Sequence, residues 1–275
     1  ERDEAWFNQQ SSSMNQTEIG LRLLVSYADS TVGRIFKNFR RDKNLVFDLP
    51  FDVNSIELSW DFGATDATSV GMLNRAFIEK DGKRLQAVKL KDWVELDNTN
   101  YVEVSKAVHA KLIAYGFAGG SRKSYDDMNE SELEAWHKKT LALHCVGDKQ
   151  VNAKMIDTGI TLRERYKSMG FNIEATVHHE TKAVLEEIDK WMGDGRFIID
   201  DQATEIIDCA ESWTWPLDSK GNPVVGATQP AHNRFSHAGK SIEYWFASEM
   251  MEKKNDGKSF FHVATRTQAE AMGVK

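Results

Sequence analysis

Apolar residues recur at helical spacing through Glu18-Ile19-Gly20-Leu21-Arg22-Leu23-Leu24, and the basic run Lys37-Asn38-Phe39-Arg40-Arg41 follows. That run reads as a solvated connector or as a nucleic-acid contact, the connector being the simpler reading. From Ser55 the period changes to two. Ser55-Ile56-Glu57-Leu58-Ser59-Trp60 alternates as a strand does. A second alternating segment, 68–79, meets a third, 84–94, across Lys80-Asp81-Gly82-Lys83, and Asp-Gly between two such segments is a hairpin signal. Helical spacing returns over 101–117, with Val104, Val108, Leu112 and Tyr115 near one face.

Residues 118–139 carry little apolar content and predict a surface insertion with one short helix at 130–138. The apolar run 141–146 predicts a buried strand that ends in Gly147-Asp148. Beyond it the pattern predicts a helix over 161–169 stopped by Gly170, a strand over 172–177, and a helix over 181–192. A strand at 197–199, a helix over 204–215, a polar turn at 218–223 and a last helix over 236–251 complete the series. Hairpin strands followed by alternating helix and strand predict an α/β fold, a mixed central β-sheet flanked by helices on both faces. No internal repeat and no low-complexity segment occurs.

Composition narrows the function less than the pattern does. The chain has 275 residues, 41% hydrophobic and 28% charged, with eight Trp and fourteen Phe, an ordinary globular mixture. No apolar run approaches the roughly 18–20 residues needed to span a bilayer, which argues against a membrane partner. Cys145 and Cys209 form neither a C-x-x-C pair nor a zinc spacing, and a reduced, intracellular setting is the simplest reading. The first residues, Glu1-Arg2-Asp3-Glu4, are charged and lack the apolar core of a signal peptide. A net charge of -7 does not suit a protein that coats DNA. It fits a protein that never meets nucleic acid. It fits equally one that gathers carboxylates around metal ions and keeps its Lys and Arg on one face, because local field and not net charge steers a ligand.

Three positions stand where chemistry is commonly placed. Asp61 ends the first strand, Asp148 ends the strand after the first long helix, and His237 opens the last helix. Open sheets put ligands at strand ends and helix starts. Oxygen-rich sites bind Mg²⁺ or Mn²⁺, and two such ions can clamp the attacking and leaving oxygens of a phosphodiester. Taken singly, each position also has a bland role, since Asp at a strand end is a common turn or cap residue. His178-His179-Glu180 does not continue as H-E-x-x-H and reads as a strand end capping the next helix. Asp200-Asp201 reads as a turn, and Asp126-Asp127 lies in the polar insertion. No G-x-x-x-x-G-K-[ST] and no G-x-S-x-G occurs.

The segments, taken in order, resemble the C-terminal nuclease domain of phage large terminases. Trp60-Asp61-Phe62-Gly63-Ala64-Thr65-Asp66-Ala67-Thr68 is similar to the family's D-x-G-x-x-D-P-T, with Ala67 where Pro is common. Gly147-Asp148 with the helix ending at Gly170-Phe171 is the second match. Ile188-Asp189-Lys190-Trp191-Met192 through Gly195-Arg196-Phe197 is the third. Phe235-Ser236-His237-Ala238-Gly239-Lys240-Ser241-Ile242-Glu243-Tyr244 resembles the closing S-H-x-x-D-A-x-R-Y helix. Glu4-Ala5-Trp6-Phe7 and Val32-Gly33-Arg34-Ile35-Phe36 resemble the bridge that leaves the family's ATPase domain.

The resemblance implies a ribonuclease-H-like fold, with 1–45 as a helical extension after an ATPase domain absent from this chain and 46–275 as the nuclease domain. It implies a metal-dependent endonuclease that cuts double-stranded, concatemeric viral DNA during genome packaging in the host cytoplasm. Terminase small subunit and portal would be partners, and the isolated domain would be a monomer. Asp61 and Asp148 would hold two Mg²⁺ or Mn²⁺ ions, with His237 as third ligand or as an orienting residue and Asp66 near the first ion. Lys80, Lys83 and Arg84 of the hairpin, with Lys89 and Lys91 behind them, are expected along the DNA backbone or simply in solvent. Lys149 and Lys240 are candidates for phosphate contacts. The chain departs from the family at Lys240, where Asp is common, and at Glu243, where Arg is common. It also lacks the acidic residues that some members carry at the positions of Ser236 and His237. A nitrogen ligand at His237 would favour Mn²⁺. The departures keep open a non-cutting scaffold of the same fold that binds motor, portal or DNA, and a resolvase-like nuclease is the more distant alternative.

Overall fold

The structure, a computed structural model, describes residues 33–63, 67–97, 99–119, 123–154 and 158–251. Seven strands form one sheet: β1 (Leu45–Val46), β2 (Glu57–Asp61), β3 (Thr68–Lys80), β4 (Lys83–Leu96), β5 (His144–Gly147), β6 (Ile173–Ala175) and β7 (Phe197–Asp200). Their order is β1-β7-β4-β3-β2-β5-β6. β3 runs antiparallel to both neighbours, and every other pairing is parallel. A three-stranded meander with β5 and β6 added in parallel beside β2 makes this a ribonuclease-H-like α/β sheet. The meander turns at Asp81 and Gly82, both with positive φ, the type I′ geometry that matches strand twist.

Helices cover both faces. Besides the short α1 (Arg41–Asn44), they are α2 (Tyr101–Ala114), α3 (Glu130–Thr140), α4 (Leu162–Ser168), α5 (Thr181–Asp194), α6 (Thr204–Ser212) and α7 (Ser236–Phe246). One core packs Leu58, Trp60, Val70 and Met72 of the sheet against Val104, Val108 and Leu112 of α2, Trp136 of α3 and Tyr166 of α4. The other packs Leu73, Val88, Leu90 and Trp93 against Val184 and Ile188 of α5, Ile206 and Ile207 of α6, and Ile242 and Trp245 of α7.

Four details refine the sequence reading. Residues just before 45 pack against the second core: Ile35, Phe36 and Phe39 are buried in it, and Arg34 Nε donates to Ala210 O at 3.0 Å. The polar insertion docks through Trp136 and Met128, which are buried, and through Tyr125, which stacks on His109. Trp136 Nε1 donates to His109 Nδ1 at 3.0 Å while His109 Nε2 meets Met169 O at 2.7 Å. Burial pushes that imidazole down to about 3, so it stays neutral. α6 stops at Ser212, and Trp213 turns extended to bury its indole. α7 ends at Phe246 and continues as a π-helical turn, Ala247–Met251.

The seam between β2 and α7 positions everything that follows. Leu58, Trp60 and Phe62 face the first core, and the polar set Glu57, Ser59 and Asp61 faces α7. Asp61 Oδ2 meets His237 Nδ1 at 3.2 Å, Ser241 Oγ donates to Ser59 Oγ at 2.8 Å, and Trp245 Nε1 donates to Glu57 Oε2 at 2.8 Å. Two strand residues advance about 6.7 Å and four helix residues about 6 Å, so the two repeats stay in step over three contacts. Gly239, on the same helix, lies against Trp213, and any Cβ there would overlap the indole.

Candidate active site

β2 and β5 are adjacent and parallel, with Trp60 opposite Gly147, so Asp61 and Asp148 follow side by side at the carboxyl ends of two interior strands. Gly147 lets the strands come together. A Cβ at that position would sit 2.9 Å from Trp60 Cβ and 3.0 Å from Phe62 Cε2. Asp148 leaves its strand as the cap of a 3₁₀ turn, Lys149–Asn152, and its Oδ1 accepts from Gln150 N at 3.0 Å. Its Oδ2 accepts the Tyr244 hydroxyl at 3.2 Å.

Asp61 is buried, at 8% exposure. Burial raises its carboxyl pKa. His237 works against the rise, Asp148's charge adds to it, and Lys240 opposes it from farther off. Burial and the same two carboxylates push the Tyr244 phenol well up, so it stays protonated and can donate to Asp148. Among the described residues, Asp61 is ion-paired with His237 alone and Asp148 with no cation. The pair therefore sits at the carboxyl ends of two interior strands with little built-in counter-charge among the described residues.

Lys240 faces another way. Its Nζ lies 2.9 Å from Oε2 of Glu243, a fully buried carboxylate that also accepts from Thr181 Oγ1 at 2.7 Å and meets His179 Nε2 at 2.8 Å. Burial opposes ionisation of Glu243, but His179, Lys240 and Thr181 outweigh it and hold its pKa down. The two departures in the closing motif are thus partners of each other, an ion pair one helical turn long. His179, read from sequence as part of a helix cap, belongs to this network, while His178 is exposed.

The hairpin lies elsewhere. Lys80 is eleven residues along β3 from Ser69, the partner of Asp61, or about 36 Å at strand rise. Lys80 pairs with Asp194 at 3.2 Å, Lys89 donates to Pro50 O at 2.8 Å, Lys91 pairs with Asp200 at 2.7 Å, and Arg84 lies over the Phe77 ring. Lys83 is exposed at the tip. The structure does not bring this element to the carboxylates. Lys149 is exposed beside Asp148. Asp66 lies outside the described residues.

Three features escaped the sequence reading. Tyr244 stands seven residues after His237 on the same face of α7, and that spacing was its available signal. A cavity of about 260 Å³ opens on the face of the sheet that carries α2 and α4, lined by Phe62, Gly63, Tyr101, Gln150, Arg165 and Tyr166 and by neither carboxylate. At the opposite ends of β2 and β5, Glu57, His144 and Glu249 bring ligand atoms within 4.8 Å of one another, a geometry that would suit a metal ion. Arg75 already sits among them, bonded to both carboxylates.

No protein-family model matches the chain, and no curated protein does. Among solved structures, the nuclease domain of the P22 large terminase matches with a TM-score of 0.51 at 13% identity, over 80% of this chain and 93% of that one. A large terminase from a thermophilic bacteriophage matches with a TM-score of 0.48 at 12% identity, over 91% of this chain and 52% of that one. The large terminase nuclease domain of bacteriophage SPP1, solved with bound Mn, matches with a TM-score of 0.43 at 14% identity, over 78% and 98%. The chain spans about half the length of the thermophilic phage protein. Its fold is that of a phage large terminase nuclease domain.

Proposed function

We propose that this chain is a divalent-metal-dependent endonuclease that cuts double-stranded DNA, acting as the nuclease part of a phage packaging terminase. The observation that carries the reading is the Asp61–Asp148 pair: two carboxylates on adjacent parallel strands, one of them buried, with little internal counter-charge. A divalent cation suits that donor set, because it would offset the burial that chiefly raises the Asp61 pKa and the neighbouring charge of Asp148 that adds to it. When bound, such ions polarise the scissile phosphodiester and stabilise the attacking and leaving oxygens.

The protein's own groups have separate tasks. Asp61 and Asp148 hold the metal ions. His237 turns Nδ1 toward Asp61 and fixes that carboxylate's orientation, and Tyr244 does the same for Asp148. The donors offered to metal are then mainly oxygens, which suit Mg²⁺ and Mn²⁺ alike. Lys149, exposed beside Asp148, would meet a phosphate. Lys240 pairs with Glu243, so its charge is answered within the helix, while the first turn of α7 offers no carboxylate and a non-cutting scaffold of the same fold stays the alternative. By the resemblance, the substrate would be concatemeric viral DNA, with a small subunit and portal as partners in the packaging machine.

The test is supercoiled plasmid incubated with the chain in Mn²⁺, in Mg²⁺ and in EDTA. Nicked and linear forms are expected with either metal and none in EDTA. Undiminished cutting in EDTA overturns the metal assignment, and intact plasmid under all three conditions overturns the nuclease reading in favour of the scaffold.

A further inference from the structure

We infer that Glu95 is a further metal-holding carboxylate of the site, standing on the β3 side of Asp61 as Asp148 stands on the β5 side. The inference rests on the nuclease reading and adds a ligand to its metal centre.

The sheet register lines the groups up. Asp61 of β2 lies opposite Ser69 of β3, and Ser69 lies opposite Glu95 of β4. Residues directly opposite share a face of the sheet, so all three side chains stand on the face that α7 covers. Two residues back the same row reads Ser59, Gly71, Trp93, and a Cβ on Gly71 would overlap both of its neighbours. The row is therefore continuous across three strands. Ser69 is fully buried, and its Oγ donates to Glu95 Oε2 at 2.6 Å, which draws that carboxylate toward β3 and so toward Asp61. Burial, and then the charge of Glu95, push the Cys209 thiol of α6 up, which puts that charge on the α6–α7 side of the sheet.

Glu95 shares the character of the Asp pair. It is half-buried, Ser69 is the one hydrogen-bond partner of its carboxylate among the described residues, and no cation there pairs with it. A part-buried carboxylate with a single hydroxyl beside it carries a desolvation cost that a divalent cation would offset. The strands run β4-β3-β2-β5, so Glu95, Ser69, Asp61 and Asp148 follow one another at the same end of four neighbours. Asp61 and Glu95 are two strands apart, about 9.5 Å at the usual spacing, before their side chains shorten the gap. Two ions about 4 Å apart, each about 2.1 Å from its oxygens, span about 8 Å between outermost ligands. The first turn of α7 offers no carboxylate. The sheet offers one instead, with Asp61 as the ligand shared between the Asp148 side and the Glu95 side.

The test titrates Mn²⁺ into the full chain without DNA and follows the free ion by its EPR signal, so that cutting plays no part. Wild type should bind two ions. Glu95→Gln keeps an oxygen for Ser69 and loses only the charge, and it should weaken one ion about tenfold or more and leave the other. Asp148→Asn should spare the ion that Glu95→Gln loses, and Asp61→Asn should weaken both. Glu95→Asp keeps the charge on a shorter stem and should hold the second ion better than Glu95→Gln does. Melting temperatures in EDTA check that each variant has kept its fold. Wild-type binding in Glu95→Gln overturns the inference, as does a single ion bound by wild type. Glu95→Gln binding as well as Glu95→Asp also overturns it, because shape and not charge would then matter. Plasmid nicking in Mn²⁺ is scored beside these titrations. Nicking with metal binding that ignores Glu95 removes this ligand and keeps the nuclease, and Glu95-dependent binding with no nicking does the reverse.

Discussion

The two ends of the β2–α7 seam carry the same donors and have opposite characters. At one end stand Asp61, Asp148 and His237; at the other, Glu57, Glu249 and His144. The second set is the tighter cluster by distance, and ligand types alone would choose it as the metal centre. What separates the ends is Arg75. Its guanidinium bonds both Glu57 and Glu249, and their charges raise its pKa against the effect of burial. Trp245 and His144 take up further oxygens. That end is closed, with its negative charge answered from within the chain. The other end has one histidine and a phenol for two carboxylates and is left in deficit. A deficit of cations, more than a gathering of ligands, distinguishes a site that waits for a partner.

The largest expected effect tests that contrast directly. Asp61→Asn and Asp148→Asn should each cut plasmid at least about a thousandfold more slowly, since losing a metal-binding charge removes several kcal/mol of transition-state stabilisation. Glu57→Gln should retain most activity. Comparable loss in Glu57→Gln would mean that the centre lies at the other end.

Next, Arg75→Met should cost about 3 kcal/mol of stability, read as a lower urea midpoint at unchanged slope, because two buried carboxylates lose their cation. The same change should open that end to metal. In an Asp61→Asn background, Mn²⁺ should raise the melting temperature of Arg75→Met and leave its Arg75 parent unchanged. No difference between the two would show that the cluster is unsuited to metal even when emptied of its guanidinium.

Smaller effects follow for the orienting residues. Tyr244→Phe and His237→Asn should each slow cutting about tenfold to a hundredfold with the fold intact, the usual consequence of freeing a metal-holding carboxylate. Full activity in Tyr244→Phe would reduce its hydroxyl to packing.

The smallest effect is a pH dependence at the closed end. Burial works against the His144 imidazolium, yet the bond and charge of Glu249, with Glu57 behind it, lift its pKa above the ordinary 6.5. A raised folded value means stability fully present below that ordinary value and lost as pH rises through the folded one. Wild type should therefore exceed His144→Gln by a few tenths to about 1 kcal/mol at pH 6, after discounting for solvent screening, and by less at pH 9. A gap that widens with pH would contradict the sign.

Much of the sheet was legible from residues alone. Alternation and Asp81-Gly82 predict the hairpin, Gly147-Asp148 predicts a strand end, and Gly170 predicts a helix stop, because each is a local requirement of backbone geometry. The candidate carboxylates were legible as positions and through the resemblance. Their adjacency was not, because it depends on β5 joining β2 in parallel at one register across 80-odd residues of chain. Alternation also misleads on β2. A strand reading Glu57, Ser59, Asp61 on one side suggests a wet face, and here that face is covered by α7, whose own polar positions meet it one for one. Lys240 and Glu243 look like separate anomalies along the chain and become one ion pair only when a helix sets them one turn apart. The hairpin's basic residues drew attention by density, and density says nothing about which end of a sheet a turn occupies.

Strand and helix here act like two scales with nearly equal divisions laid edge to edge, so that reading any one mark fixes all the others. His237 is seated at Asp61 partly because Trp245 is seated at Glu57, two divisions away. A one-residue deletion between Ser241 and Trp245 would leave the sequence around His237 untouched. With Trp245 still anchored, it would turn His237 through about 100° of helix and carry the imidazole away from Asp61. Alignment of the cutting edge is thus a property of the whole seam, and it can be lost by an edit at the far end.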